Sequence, residues 1–232
     1  MFLSDRGGTP QLWLAESDGT RQQSLLTDPL AGTARWSPDG TRIAFDTRGR
    51  IAIVSAEGGE PRILTESSAN AVRPAWSRDG RWIYFRSKPL GSVQIWKMPA
   101  GGGTPTQITQ NGGWEANEAP DGKLLYYVKD RTQAGLWSVP VTGGDAQLVA
   151  ANVRVSWWTL AGDDLYFVNF SVKPPVIQQM NLKTRAIRTL RSVANLRPDF
   201  SPSLTGTPDG RWLAWSLEEF LGSDLMLIDN FQ

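Results

Sequence analysis

The sequence contains no cysteine and no histidine among its 232 residues. Without cysteine there are no disulfide bonds and no thiolate metal ligands, and without histidine there is no imidazole ligand. Ser-His-Asp and Cys-His catalysis are therefore excluded within this chain, and any acid–base chemistry would fall to Asp, Glu, Lys or Tyr. We accordingly expect no catalytic residues, no metal site, no cofactor and no enzyme activity of its own.

The chain also lacks a strong charge of one sign and any long apolar run. Its 24 Lys and Arg against 23 Asp and Glu give a formal net charge of +1, so there is no electrostatic basis for binding nucleic acid or an anionic membrane surface. The apolar runs have the length of strands, and none could cross a bilayer. The start of the chain turns polar at once, so we expect no signal peptide. With 40% hydrophobic residues, the chain can still bury a core.

An Asp-Gly turn between two short apolar runs recurs along the chain. Its aspartates are separated by 40, 42, 42 and 46 residues, and the fourth copy is degraded. They are Asp39, Asp79, Asp121, Asp163 and Asp209. We assign them to structural turns, because turns spread around a ring cannot gather the six or more oxygens that a calcium ion needs.

Each unit contains about four short apolar runs bounded by Gly, Pro, Asp or Asn, which predicts four antiparallel strands. A four-stranded unit of about 40–45 residues has the period of a β-propeller blade. The chain is thus predicted to be all-β, a single β-propeller domain over residues 1–232. We expect six blade units with incomplete first and last blades; the alternative is a five-bladed ring with extra terminal strands. The units span about residues 1–32, 33–72, 73–113, 114–154, 155–200 and 201–232.

The chain enters the repeat one strand late and leaves it one strand early. Three strands, four full units and three further strands give 22 strands, two fewer than a complete six-bladed ring. A propeller usually closes by pairing strands from its two ends, which removes the free edges. We therefore expect a fragment of a longer protein, or a ring with an imperfect closure and a weak point at its seam.

The pattern W-S-P-D-G-x-x-I-A-F, followed by I-x-x-V/M-x-x-x-G-G and L-T, resembles the TolB-like propeller repeat. The C-terminal segments Leu196–Pro202, Thr207–Trp212 and Gly222–Phe231 resemble the closing part of bacterial propellers that are fused behind winged-helix transcriptional regulators. This second resemblance implies a propeller that senses a signal or docks a partner. No winged helix is present in the sequence, so the resemblance does not extend to DNA binding by this chain.

Five charged residues near the entrances of the first strands form the candidate site. The loops before the first strands and those between second and third strands should gather on one face, and such variable loops usually carry binding. The longer loops are Asp5–Pro10, Ser87–Ser92, Lys129–Ala134, Asn169–Pro175 and Leu217–Ser223. We expect a polar funnel at the channel mouth that binds a ligand or protein partner; plain solvated loop charge is the competing explanation. Its residues are Arg73, Glu115, Arg154, Arg197 and Asp199.

Five of the 11 tryptophans follow the repeat. Those in equivalent strand positions are expected to pack between blades: Trp13, Trp96 and Trp137 in third strands, and Trp36 and Trp76 in first strands. Three others are less tied to the repeat, which leaves open a place at the channel mouth: Trp114, Trp157 and Trp158.

The sequence therefore predicts a non-catalytic β-propeller that binds a protein partner or small ligand, as the sensing or docking part of a larger bacterial regulator. One alternative is the gating propeller of a serine peptidase, whose hydrolase domain would carry the groups that are absent here. Another is a periplasmic TolB-type adaptor that docks a lipoprotein. Neither nucleic-acid binding nor membrane insertion by this chain is expected. The compartment, bacterial cytoplasm or periplasm, depends on the parent protein.

Overall fold

The structure is a computed structural model, and it describes residues 1–6, 8–16, 18–26, 31–89, 91–194, 196, 204–207, 209–219 and 222–229. The chain divides into two compact units. The first comprises Met1–Glu118 and Val141–Gly144, and the second comprises Ala119–Pro140 and Asp145–Gln232. The assignment of residues 1–232 to a single domain stays a prediction.

In the first unit, short strands follow one another with little other regular structure. They are β1 (Phe2–Ser4), β2 (Gln11–Leu14), β3 (Gln23–Ser24), β4 (Ala34–Trp36), β5 (Arg42–Thr47), β6 (Arg50–Ser55), β7 (Arg62–Ile63), β8 (Val72–Trp76), β9 (Trp82–Ser87), β10 (Gln94–Pro99), β11 (Thr106–Gln107) and β12 (Glu115–Glu118). A 3-10 helix, Ser67–Ala69, precedes β8.

The second unit continues the same pattern. Its strands are β13 (Leu124–Val128), β14 (Leu136–Pro140), β15 (Gln147–Ala150), β16 (Trp158–Ala161), β17 (Asp164–Asn169), β18 (Val176–Asn181), β19 (Ile187–Ser192), β20 (Leu204–Gly206), β21 (Trp212–Glu219) and β22 (Gly222–Asp229).

Each sheet is antiparallel and is built from consecutive strands. Within the described ranges, the 22 strands form four four-stranded sheets, β4–β7, β8–β11, β12–β15 and β16–β19, and two three-stranded sheets, β1–β3 and β20–β22. The predicted fold class, an all-β propeller of four-stranded antiparallel blades, is confirmed. Of the two counts that were expected, the findings support the alternative, five blades with extra terminal strands, rather than six blade units with incomplete ends.

The second strand of each complete sheet is buried on both of its faces. In β5, the side chains of Ile43, Ala44 and Phe45 are at most 2% exposed, and the residues of β9 at 83–85 are equally covered. Consecutive strand residues point to opposite faces, so protein must cover both sides. This explains why the sequence shows continuous apolar runs here rather than alternation.

Apolar clusters fill the spaces between successive sheets within each unit. In the first unit, Leu12 packs with Ile43 between sheets β1–β3 and β4–β7, and Ile53 packs with Ile83 between β4–β7 and β8–β11. In the second unit, clusters cover both faces of sheet β16–β19. Face-to-face packing of this kind is what blade-like sheets require.

The Asp-Gly turns are capped by their own side chains. Ser37 Oγ donates to Asp39 Oδ1 at 2.6 Å, and the same oxygen accepts the backbone N–H of Thr41 at 3.0 Å. Gly40 adopts a φ of 70°, which residues with a Cβ rarely adopt. The turn at residues 77–80 repeats these contacts. The geometry therefore matches the structural role expected of these aspartates.

The degraded fourth copy of the repeat still forms a complete hairpin. Gly162-Asp163 connects β16 to β17, and Ala161 pairs with Asp164 across the turn. Gly162 takes a φ of 56°. Loss of the tryptophan and proline therefore shortens the turn but preserves the pairing of the two strands.

The tryptophans depart from the expected packing in three ways. Trp36 in β4 is 41% exposed, whereas Trp76 in β8 is 8% exposed and packs as expected. The third-strand tryptophans are only half buried: Trp13, Trp96 and Trp137. Nζ of Lys129 lies 3.2 Å from the ring centroid of Trp137, so a cation covers part of that ring. Trp157 and Trp158 are 0% and 3% exposed. These two side chains complete the core of the second unit and do not face solvent.

Candidate functional site

One end of the first unit gathers the loops that lead into its first strands. The N–H of Ala71, just before β8, donates to the carbonyl of Gly49 in the β5–β6 turn at 2.7 Å. The N–H of Gly32, just before β4, donates to the carbonyl of Asp46 at 2.7 Å. Loops before first strands and loops between second and third strands thus share one end of this unit, as the repeat predicts.

Arg73 and Glu115, two of the five predicted site residues, form an ion pair at this end. Nη1 of Arg73 on β8 lies 2.8 Å from Oε2 of Glu115 on β12, and the two side chains are 26% and 11% exposed. The strands β8 and β12 are in contact. Such partly desolvated pairs are stronger than exposed ones, because water and salt screen them less.

A bulge in β8 orients Arg73. The pairing of β8 with β9 shifts register between Val72 and Ala75, and Arg73 takes a φ of 57° in the left-handed region. The N–H of Arg73 donates to Oδ1 of Asp46 at 2.9 Å. Asp46 therefore stabilises a backbone conformation that is costly for a residue with a side chain.

Asp46 is held tightly at this position. A Cβ placed on Gly32 would lie only 2.0 Å from Asp46 Oδ2, so the carboxylate rests against the bare backbone of that glycine. Burial raises the pKa of Asp46, and the hydrogen bond from Arg73 and the charge of Arg73 act in the opposite direction. The carboxylate is an anchor for the bulge rather than an exposed surface charge.

Arg35 on β4 is the site residue that the sequence did not identify. Arg35 is exposed to solvent. Desolvation by the surrounding protein nevertheless lowers the pKa of its guanidinium, and the negative charge of Glu115 opposes this effect. In the described part of the chain, the one hydrogen bond of this side chain is from Nη1 to the carbonyl of Ala34, at 2.9 Å.

Arg86 and Trp114 complete the charged cluster of the first unit. The guanidinium carbon of Arg86 on β9 lies 4.0 Å from the ring centroid of Trp114, just before β12. The positive charge of Arg86 acts on Asp46. We name the basic cluster as the three arginines and two carboxylates of this end: Arg35, Arg73, Arg86, Asp46 and Glu115.

The remaining predicted site residues are not part of this cluster as described. Arg154 belongs to the second unit, in the connection between β15 and β16, where its carbonyl accepts the N–H of Trp157 at 3.1 Å. Arg197 and Asp199 lie outside the described residues. Of the five predicted residues, the structure therefore brings together Arg73 and Glu115.

The cluster is suited to binding rather than to acid–base chemistry. Its guanidinium groups are hydrogen-bond donors with no acceptor atom, and its carboxylates are engaged by Arg73. Among the described residues, no group of three or more acidic side chains could hold a metal ion. The described residues also include no helix with the length and hydropathy of a membrane span.

Comparison with known families places the fold. Residues 20–154, more than half of the chain, match PD40, the TolB beta propeller domain. The chain belongs to this family. The predicted resemblance to the TolB-like repeat is thereby confirmed.

Several curated proteins match parts of this TolB-family chain. It is 32% identical over 127 residues to an uncharacterized protein of Agrobacterium fabrum, which covers 52% of this chain and 43% of that protein. It is 31% identical over 163 residues to the Tol-Pal system protein TolB of Bordetella pertussis, which covers 62% of this chain and 35% of that protein. A segment of 86 residues is 38% identical to an uncharacterized peptidase of Bacillus subtilis, covering 32% and 12%. The matches thus span less than half the length of these relatives.

Solved structures show the same fold. The crystal structure of TolB from Acinetobacter baumannii matches with a TM-score of 0.80 at 20% identity, covering 96% of this chain and 57% of that one. At this identity the likeness concerns the fold alone. The similar proteins include a Tol-Pal system protein and an uncharacterized peptidase, so the fold by itself does not decide the function.

Proposed function

We propose that this chain is a non-catalytic binding module in which Arg35 receives a carboxylate of a protein partner or small ligand. The observation that carries the proposal is the Arg35 guanidinium, which is accessible but partly desolvated and gives one hydrogen bond to protein among the described residues. A guanidinium presents five N–H donors in a fork that matches the two oxygens of a carboxylate.

The charge of the basic cluster favours a singly charged group. Three arginines stand against two carboxylates, which leaves one positive charge without a formal counterpart within the cluster. Arg73 engages both carboxylates and Arg86 lies over the ring of Trp114, so Arg35 is the arginine that is left to meet an incoming group. A single carboxylate neutralises that charge without bringing a second negative charge close to Glu115 and Asp46.

A protein-docking role is supported by the match to a protein named as a component of the Tol-Pal system. The finer proposal, that this propeller is the sensing or docking part of a larger bacterial regulator, rests on the resemblance of its C-terminal segments to propellers behind winged helices. The predicted funnel residues Arg154, Arg197 and Asp199 belong to the same proposal. Cytoplasm and periplasm both remain compatible with a chain without cysteine.

A second candidate function is the gating propeller of a peptidase. It is favoured by the segment that is 38% identical to the peptidase of Bacillus subtilis. The sequence on either side of this segment in the intact gene separates the candidates. A winged helix upstream favours the regulator, whereas an adjoining hydrolase domain with a G-x-S-x-G motif favours the peptidase.

The carboxylate-binding proposal can be tested by calorimetric titration with hexaglutamate and with neutral hexaglutamine as the matched probe. We expect hexaglutamate to bind and hexaglutamine not to bind. Arg35→Ala should weaken hexaglutamate binding by about tenfold or more, because a charge-assisted hydrogen bond is lost. Arg35→Lys should give an intermediate affinity, since it keeps the charge but loses the fork.

The matched control is Arg21→Ala, because Arg21 is an 84% exposed arginine of the same unit. It should leave the affinity unchanged. Equal binding of the two probes, absence of hexaglutamate binding, or an Arg35→Ala variant with unchanged affinity and unchanged thermal unfolding would overturn the proposal.

A further inference from the structure

Asn111-Gly112 is the one Asn-Gly pair in the sequence. It lies in the connection between β11 and β12, and Asn111 is exposed. Asparagine is thermolabile, because the backbone nitrogen of the next residue can attack its side-chain amide. A glycine in that next position hinders the attack least, since it has no Cβ. The pair therefore places a spontaneous chemical change at one defined point of the first unit.

The attacking nitrogen of this pair is not engaged elsewhere. In the described part of the chain, neither the N–H of Gly112 nor the side chain of Asn111 makes a hydrogen bond. Gly112 takes a φ of 92°, which residues with a Cβ rarely adopt. A backbone hydrogen bond would hold the nitrogen away from the amide, so its absence leaves the nitrogen free to approach the side chain.

Two other asparagines are exposed among the described residues, and each lacks one of these features. Asn70 is followed by Ala71, whose N–H donates to the carbonyl of Gly49 at 2.7 Å. Asn152 is followed by Val153, which is 0% exposed and whose branched Cβ crowds the nitrogen. Of the three exposed sites in the described ranges, the Asn-Gly pair alone combines a glycine with an unengaged N–H.

We propose that Asn111 is a site of spontaneous deamidation, which converts it into a mixture of aspartate and isoaspartate. The backbone nitrogen of Gly112 forms a bond to Cγ of Asn111, the Cγ–Nδ2 bond breaks, and ammonia leaves with the proton of that nitrogen. Water then opens the cyclic imide. Cleavage of the bond from the nitrogen to Cγ gives aspartate, and cleavage of its bond to the main-chain carbonyl carbon gives isoaspartate. Nothing is oxidised or reduced, and the proposal is independent of the carboxylate site at Arg35.

The residues on both sides of the pair are fixed to β10. On the N-terminal side, the N–H of Ile95 donates to Oγ1 of Thr109 at 2.9 Å, and Nε2 of Gln94 donates to the carbonyl of Gln110 at 3.0 Å. On the C-terminal side, a Cβ on Gly113 would lie only 2.6 Å from the backbone nitrogen of Ile95. The pair thus spans a short segment between two points that have no room to move.

The two products affect this segment differently. Aspartate adds a negative charge and leaves the main chain unchanged, whereas isoaspartate carries the main chain through Cβ and Cγ and lengthens it by a methylene group. The chain continues from Gly113 to Trp114, which lies under Arg86, and to Glu115, which pairs with Arg73. Isoaspartate must therefore displace either the close-packed glycine or the start of β12, and we expect it to lower stability.

Incubation of the folded chain at neutral and mildly alkaline pH, followed by mass spectrometry of its proteolytic peptides, tests the site. Asn111 should deamidate at least about tenfold faster than Asn70 or Asn152, because its neighbour is unhindered and unengaged. The rate should rise with pH, since the nitrogen of Gly112 attacks after it loses its proton. A protease that cleaves before aspartate but not before isoaspartate distinguishes the two products.

Two variants separate the steps of the proposal. Asn111→Gln keeps the amide but would have to close a larger ring, so it should stop the change of mass in this peptide. Asn111→Asp carries the charge of the aspartate product on an unaltered main chain, and it should unfold at nearly the temperature of the parent. The isoaspartate fraction, isolated by ion exchange, should unfold at a lower temperature than Asn111→Asp. Circular dichroism confirms that both variants are folded.

Three results would overturn the proposal. The first is deamidation of Asn111 in the folded chain that is no faster than that of Asn152. The second is a change of mass that persists at the same rate in Asn111→Gln. The third is an isoaspartate fraction as stable as Asn111→Asp, because the segment would then accommodate a longer main chain without strain.

Discussion

The phenol of Tyr84 donates a 2.6 Å hydrogen bond to the carboxylate of Glu118, and both side chains are buried. Glu118 stands where the first strands of other copies carry a tryptophan. Its second oxygen accepts the backbone N–H of Arg78 at 3.0 Å. Burial raises the pKa of Tyr84, and the hydrogen bond to Glu118 adds to that effect. A buried carboxylate thus replaces an aromatic contact because two donors satisfy it.

Tyr84→Phe should lower the free energy of unfolding by about 1–3 kcal/mol, since it leaves a buried carboxylate with one donor fewer. Urea denaturation measures the loss. Tyr127→Phe is the matched control, because Tyr127 is 1% exposed and its hydroxyl makes no hydrogen bond to described residues. If the two variants lose the same stability, the Tyr84–Glu118 hydrogen bond has no special role.

Two glycines should respond oppositely to alanine. A Cβ on Gly113 would lie 2.6 Å from the backbone nitrogen of Ile95 and 2.7 Å from Oγ1 of Thr109, two atoms joined by a hydrogen bond. Gly113→Ala should therefore destabilise the protein by about 1–3 kcal/mol through overpacking. At Gly101 the same Cβ meets nothing within 4 Å, so Gly101→Ala should be neutral or stabilising by up to about 1 kcal/mol. Thermal unfolding compares the two, and equal effects would contradict the packing argument.

The capped turns should make stability fall in acid. Hydrogen bonds from Ser37 and Ser77 are the largest causes that lower the pKa values of Asp39 and Asp79 from 3.8 to about 2. A carboxyl with a lower pKa in the folded state stabilises that state above its ordinary pKa. This contribution is lost as the pH falls from about 4 to about 2.

Ser77→Ala removes the hydrogen bond that contributes most to the lowered pKa of Asp79. The variant should be less stable than the parent at neutral pH, and the difference should narrow as the pH approaches 2. Thermal unfolding between neutral pH and pH 2 measures the difference. Ser171→Ala, which removes an exposed hydroxyl, should give the same difference from the parent at every pH. A Ser77→Ala difference that does not depend on pH would refute the argument.

The regular features of this protein could be predicted from its sequence because they depend on neighbouring residues. The Asp-Gly turns, the apolar runs and the four-strand period are local signals, and the sheets follow from joining consecutive runs. The pairing of Arg73 with Glu115 could have been predicted from the sequence for the same reason. The two residues are 42 positions apart, about one repeat, and lie at the first or second position of the equivalent strands β8 and β12.

The features that the sequence did not reveal depend on contacts between distant segments. Arg35 looks like an ordinary charged residue in a short strand, and only the fold brings its guanidinium close enough to Glu115 and Asp46 for their charges to act on it. Glu118 breaks the tryptophan pattern, but its partner Tyr84 lies 34 residues away. Trp157 resembled an unassigned aromatic before a strand, yet it is fully buried against Phe170, with ring centroids 5.2 Å apart.

The last prediction concerns Gly32, whose backbone lies against the carboxylate of Asp46. Gly32→Ala places a methyl group where Asp46 Oδ2 lies, so the carboxylate must move away from the N–H of Arg73. The bulge at Arg73 then loses its anchor, and the Arg73–Glu115 pair next to Arg35 shifts. We expect hexaglutamate binding to weaken by about tenfold, since one charge-assisted contact is worth roughly 1.4 kcal/mol or more.

Asp46→Asn separates this geometric effect from charge, because an asparagine side chain still offers an oxygen to the N–H of Arg73 while it removes a negative charge from the basic cluster. Its affinity for hexaglutamate should rise rather than fall, since the cluster then carries more positive charge. Gly101→Ala serves as the control, because a Cβ is accommodated there without contact. If Gly32→Ala raises the affinity as Asp46→Asn does, Asp46 acts through its charge alone, and the bulge that it anchors has no part in binding. If Asp46→Asn lowers the affinity, the argument from charge is wrong.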